Sequence, residues 1–169
     1  MPTENPVILT LKIDPEAAAY FTDLRKQHFP AERNYLDAHL TLFHHLPASE
    51  DTIFEAVKTV CAIQKPMVLQ VTEVVSIGAG VAFKIESAEL KQLHKNLQQQ
   101  WQLWLTPQDK QPLWPHITIQ NKVDRQTAVQ LQQALSLDFK PFEIQGLGLT
   151  FWEYLNGPWR LIENVDFEG

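Results

Sequence analysis

A chain of 169 residues with 44% hydrophobic and 20% charged residues suits one soluble domain with a sizeable core. The balance of 20 acidic against 14 basic side chains, a net charge of −6, argues against a broad basic platform for nucleic acid, which would draw on many Lys and Arg contacts to phosphate. One or two cations in a cleft still suffice for a short nucleotide or an RNA end. The single cysteine, Cys61, excludes an intramolecular disulfide and a thiolate-rich zinc site; it lies on an apolar helical stripe and reads as a small core residue. MPTENP is no secretory leader, and no apolar stretch approaches the roughly 20 residues that span a bilayer. The expectation is therefore a cytoplasmic, monomeric protein with no membrane association.

Residues 7–13, the first predicted element, are β-prone. Asp14-Pro15 is an N-cap with proline in the first turn of a helix over 15–28. DAHLTLF at 37–43 alternates as a strand. Ser49 is expected to cap a helix reaching about Ile63, and Lys65-Pro66 opens a strand over 66–75. Gly78 and Gly80 turn the chain into a strand at 81–86. Ser87 caps a helix whose apolar stripe runs Leu90, Leu93, Leu97, Trp101, Trp104. After a polar loop at 106–113 come a strand at 115–120, a helix capped by Asp124, a strand at 141–151 and, beyond Asn156-Gly157-Pro158, a last strand near 158–163.

This order repeats. KPMVLQ at 65–70 answers KPFEIQ at 140–145, and His39 answers His116. Two β-α-β-α-β units, about 1–80 and 81–169, point to an internal duplication with a pseudo-two-fold axis. In this scheme Trp159-Arg160 corresponds to the Phe83-Lys84 region.

On a strand, residues two apart share a face. His39 and Thr41 therefore point one way while Leu40 and Leu42 are buried, and His116 and Thr118 do the same over Ile117 and Ile119. Either pair alone would be ordinary strand residues; two at matching points of a repeat suggest chemistry. Two imidazoles titrating near neutrality can hold opposite protonation states, one removing a proton from a nucleophile and the other supplying one to a leaving oxygen. Threonine hydroxyls can donate to the non-bridging oxygens of a phosphodiester.

These motifs resemble those of the two-histidine (2H) phosphoesterase superfamily, which includes the 2′-5′ RNA ligase and 2′,3′-cyclic phosphodiesterase proteins. The resemblance implies an α+β, bilobal fold in which duplicated units form two antiparallel sheets lining a central cleft, with helices outside. It implies a cyclic phosphodiesterase without metal or other cofactor, acting on a small nucleotide or RNA end. His39 and His116 would be acid and base in an order left open, and Thr41 and Thr118 would bind the phosphate. The family often carries a cation near the second motif, and Lys122 lies on the face of His116 and Thr118 if the strand continues.

His44 and His45 extend the first motif. A metal shared with His39 is disfavoured, because six residues of strand span about 20 Å and His44 faces the other side. Tyr35, Phe43, Trp114, Trp152, Tyr154 and Trp159 could stack a base; Tyr35 and Trp159 are the preferred contacts. No Gly-rich triphosphate loop is present. Two other readings stay open: a nucleotide-binding module without turnover, and an enzyme for another phosphodiester such as a cyclic dinucleotide or ADP-ribose cyclic phosphate.

Overall fold

The computed structural model describes residues 4–169; the first three residues of the MPTENP segment lie outside them. Seven strands and four helices follow in the order β1 (Val7–Ile13), α1 (Pro15–His28), β2 (Leu40–Leu46), α2 (Asp51–Ile63), β3 (Met67–Ser76), β4 (Val81–Glu86), α3 (Ala88–Trp101), β5 (His116–Gln120), α4 (Arg125–Leu137), β6 (Phe142–Tyr154) and β7 (Trp159–Asp166). A 3-10 turn at Ala31–Arg33 precedes β2. No helix among the described residues is long and apolar enough to cross a membrane.

Three of the four expected helix caps form. Asp14, Ser87 and Asp124 accept from the backbone N–H of Ala17, Leu90 and Thr127, each satisfying a first-turn donor. Ser49 does not cap α2: the helix starts at Asp51 behind Glu50, whose carbonyl, not a side chain, takes the Ile53 N–H. Nor does α3 carry Trp104, because the chain tightens after Trp101 and the Trp104 N–H turns back to the Trp101 carbonyl.

All strand pairings are antiparallel, in the order β2-β1-β6-β3-β4-β5, with β7 also on β6. The class is α+β, but the strands form one sheet rather than two: the long β6 pairs β3 through Phe142–Gly146 and β1 through Gly146–Glu153. The end strands β2 and β5 nonetheless approach each other, so the sheet curls back on itself.

The pairing registers repeat. In β1–β2, Leu11 faces Leu40, Thr10 faces Thr41 and Leu9 faces Phe43. In β4–β5, Phe83 faces Ile117, Ala82 faces Thr118 and Val81 faces Gln120. Both ladders skip one residue after the threonine, Leu42 in the first and Ile119 in the second. In β1–β6 the skipped residue is Leu147, and in β3–β4 it is Thr72, again equivalent positions. Between β3 and β6, Met67 faces Gly146, Leu69 faces Ile144 and Val71 faces Phe142, a register that maps onto itself about the Leu69–Ile144 pair. By these registers the counterpart of Phe83-Lys84 is Leu11-Lys12, and β7 has no counterpart in the first half. Trp159-Arg160 therefore does not correspond to Phe83-Lys84: β7 pairs with β6 along a stretch whose other edge is already taken by β1.

The halves interleave in space. The tight turn before β4 keeps that strand beside β3, so the second half's β4 and β5 extend the first half's β3. Gly80 is required there, since a Cβ would lie 1.9 Å from the Gln120 carbonyl oxygen. Helix α1 packs against β5, with Phe21 edge-on to Phe83 at 5.2 Å. Helix α3 reaches β2, where His94 stacks on Phe43 at 4.5 Å and Trp101 meets the same ring at 4.9 Å. Each half thus lends a helix to the other's histidine strand.

Candidate active site

His39 stands just before β2 and His116 opens β5, the two strands that the curl brings together. The rings are held alike. The Nδ1 of His39 bonds the Asp37 carbonyl at 2.9 Å, and the Nδ1 of His116 bonds the Trp114 carbonyl at 2.7 Å. A carbonyl only accepts, so Nδ1 carries the hydrogen in each ring. Nε2 is the nitrogen left for chemistry: a lone pair when the ring is neutral, an N–H when it is charged. Each ring also has an indole neighbour. Trp159 lies 4.5 Å from His39, tilted by 50°, and Trp114 stacks on His116 at 4.3 Å and 26°.

The electrostatics set the two apart. His39 is pushed down to about 4, first by burial, against which the Asp37 carbonyl bond acts, and then by the positive charges of Arg25, His116 and His44. His116 is also lowered, by burial and then by His44, with the Trp114 carbonyl bond opposing. The charge of His116 acts on His39, and His44 acts on both rings, so the three imidazoles lie within electrostatic reach of one another.

Each threonine sits where the alternation puts it, beside its histidine and half-buried. Cross-strand partners point the same way, so Thr10 joins Thr41 on this face and Lys84 stands opposite His116. The skipped residues then alter which way the next side chains face. A β-bulge reverses the alternation beyond it, which is why Leu42 and Phe43 are both buried, as are Ile119 and Gln120. For the same reason His44 does not face the other side. It returns to the His39 face, is exposed, and acts electrostatically on both catalytic candidates. Lys122, by contrast, is not on the His116–Thr118 face. The strand ends at Gln120, and Lys122 occupies a left-handed turn with φ of 62°.

The first bulge is held by side chains from the second half. His94 Nε2–H donates to the Leu42 carbonyl at 3.0 Å. Asp109, only 2% exposed, accepts from the backbone N–H groups of His44 and His45 at 2.8 and 2.9 Å and meets His44 Nδ1 at 3.2 Å. These bonds hold the Asp109 carboxyl below its ordinary value despite its burial. At the second bulge the partner comes from the first half: Arg25 Nη1 donates to the Thr118 carbonyl at 3.2 Å. Sequence reasoning missed Arg25, Asp109 and Lys84. Only the position of Arg25, on a stripe of α1 with Phe21, hinted that it is buried.

Tyr35 is exposed and rests by Gly157, where a Cβ would come within 3.5 Å of its ring. It thus shares the β6–β7 turn with Trp159, beside the first motif. Among the described residues, no group of three or more His, Cys, Asp or Glu side chains is placed to hold a metal ion.

The match of residues 13–158 to the family model described as the 2′-5′ RNA ligase superfamily decides the family. The chain belongs to the 2′-5′ RNA ligase superfamily. Solved structures agree with that membership in fold. TT0787 of Thermus thermophilus is 16% identical with a TM-score of 0.67, over 97% of this chain and 98% of its own. E. coli LigT complexed with 3′-AMP is 15% identical with a TM-score of 0.63, over 98% and 99%. No curated protein sequence shows a significant match.

Proposed function

We propose that this member of the superfamily is a metal-independent phosphoesterase that opens 2′,3′-cyclic phosphates of nucleotides or RNA ends. The observation that carries the reading is the matched pair of imidazoles, each locked through Nδ1 on the carbonyl two residues before it, with the charge of His116 acting on His39. Family membership supports phosphoesterase chemistry, and LigT, complexed with 3′-AMP, ATP and NADP+ in its own structures, supports a nucleotide ligand. The repeated registers and bulges support descent of the two halves from one duplicated unit.

The roles follow from the surroundings. His39, held far below neutrality, is neutral at pH 7 and offers an Nε2 lone pair, so it takes the proton of the attacking water. His116, lowered as well but without a contribution from Arg25, keeps the greater proton affinity of the two, and its protonated form gives the proton to the ribose oxygen that leaves. The water oxygen forms a bond to phosphorus, the ring P–O bond breaks, and the products are a phosphomonoester and a free hydroxyl. Thr41 and Thr118 donate to the non-bridging oxygens as their charge grows. Trp114, Trp159 and Tyr35 offer apolar faces beside the reacting group, and Trp159 and Tyr35 are the contacts for a base.

The test is hydrolysis of 2′,3′-cyclic mononucleotides in EDTA. Wild type should turn over, and His39→Ala and His116→Ala should each lose about 10²–10⁴-fold. Full activity in both variants would sink the reading.

A further inference from the structure

Arg25 is charged yet only 3% exposed, a costly arrangement unless every donor finds a purpose. Its Nε donates to Asn34 Oδ1 and to the Leu36 carbonyl, both at 3.2 Å, and its Nη1 donates to the Thr118 carbonyl at 3.2 Å. The guanidinium lies over the Phe29 ring, 4.1 Å from its centroid. Asn34 and Leu36 belong to the segment that delivers His39, and Thr118 is the threonine of the other motif. One planar group therefore spans the approach to the first histidine and the backbone of the second His–x–Thr strand.

We propose that Arg25 is the positioning residue of the two-histidine site: its guanidinium clamps the segment leading to His39 against the Thr118 strand and so fixes the two motifs relative to each other. This rests on the reading that His39 and His116 share one reaction. The fork shape matters, because a single ammonium cannot reach three acceptors on two segments. The charge matters separately. The charged and titratable groups that act on His39 are Arg25 from α1, His116 from β5 and His44 from β2, with the backbone carbonyl of Asp37 acting the other way. Arg25 opposes a proton on His39, and its own value falls to about 10 through burial, with Asp37 acting the other way. Removing the guanidinium would remove a positive charge that opposes the proton and so favour the charged imidazole.

Two variants separate shape from charge. In Arg25→Gln the midpoint of His39, followed by NMR of the imidazole C–H signals during a pH titration, should rise by roughly half a unit to one unit. In Arg25→Lys that midpoint should stay near the wild-type value. Both should lower kcat on a 2′,3′-cyclic mononucleotide by about tenfold or more with KM changed less than about threefold, since misplaced groups cost rate rather than binding. Thermal melts identify any variant that does not fold; if Arg25→Gln is lost, the kcat of folded Arg25→Lys decides. A wild-type kcat in folded Arg25→Lys, or a folded Arg25→Gln with an unmoved His39 midpoint, overturns the proposal. The NMR titration needs no substrate. If His39→Ala and His116→Ala both retained full hydrolysis, the catalytic reading would fall while the imidazole shifts still judged the clamp.

Discussion

The two histidine strands share a plan and differ in what surrounds it. In both, the histidine bonds the carbonyl two residues back, the threonine comes next on the same face, and one residue is skipped from the ladder. Around β2 the bulge is secured by His94 and Asp109, and His44 is turned onto the reacting face. Around β5 the counterpart of His44 is Asn121, whose side chain is spent on the Lys122 backbone N–H. The counterpart of Phe43 is Gln120, whose Oε1 is buried with no partner among the described residues. The common plan leaves Nε2 of each imidazole as the free ring nitrogen. What separates their proton affinities is Arg25, whose charge acts on His39 and not on His116, and a lower affinity suits a base that must be neutral at the start.

The sharpest way to break that contrast is a change of leaving group. His116→Ala should lose about 10²–10⁴-fold on a cyclic phosphate but far less on a diester with a nitrophenolate leaving group, which departs without a proton. His39→Ala should lose on both. Equal losses by both variants on both substrates would erase the assignment of roles. Next come the threonines: Thr41→Val and Thr118→Val should each cost about 10²-fold in kcat, and steady-state kinetics would show whether the halves hold the phosphate evenly.

Much of this contrast could be read from the residues. Alternation placed each His–Thr pair on one face, and Asp14, Ser87 and Asp124 announced their helices. The bulges could not be read, because a skipped residue is a property of two strands in register and leaves no mark in either alone. His44 is misplaced for that reason, by carrying alternation through Leu42, and Lys122 for another, by extending β5 past its end at Gln120. Arg25 and Asp109 act on backbone groups far along the chain, and a backbone acceptor has no letter. Lys84 stands opposite His116 only through the β4–β5 pairing.

Smaller effects sharpen the comparison of the bulges. Asp109→Ala strips two backbone N–H groups of their acceptor and should lower stability by about 1–3 kcal/mol in denaturant unfolding. Asn121→Ala, which frees only the exposed Lys122 N–H at the second bulge, should cost well under that. Acid should act mainly through the histidines: His28, His39, His94 and His116 all lie below their ordinary value in the folded state. The unfolded chain therefore binds more protons between about pH 6.5 and 4, and stability should fall as pH drops through that window. Thermal melts should show the slope reduced in His39→Ala.

The interleaving of the halves has a consequence for how the molecule is made. Strand β1 leaves the ribosome well before β6, yet one of its two edges waits for that strand. Until then its Val-Ile-Leu run stays a half-paired edge, and His39 stands opposite nothing. A chain stopped after β4 would hold the whole first motif and its pairing with β1, but neither β5 nor the β6 that joins the two halves of the sheet. The two His–x–Thr strands come together only once β5 and β6 have emerged, so the nascent chain depends on long-range pairing of the kind that folds slowly and invites aggregation on the way.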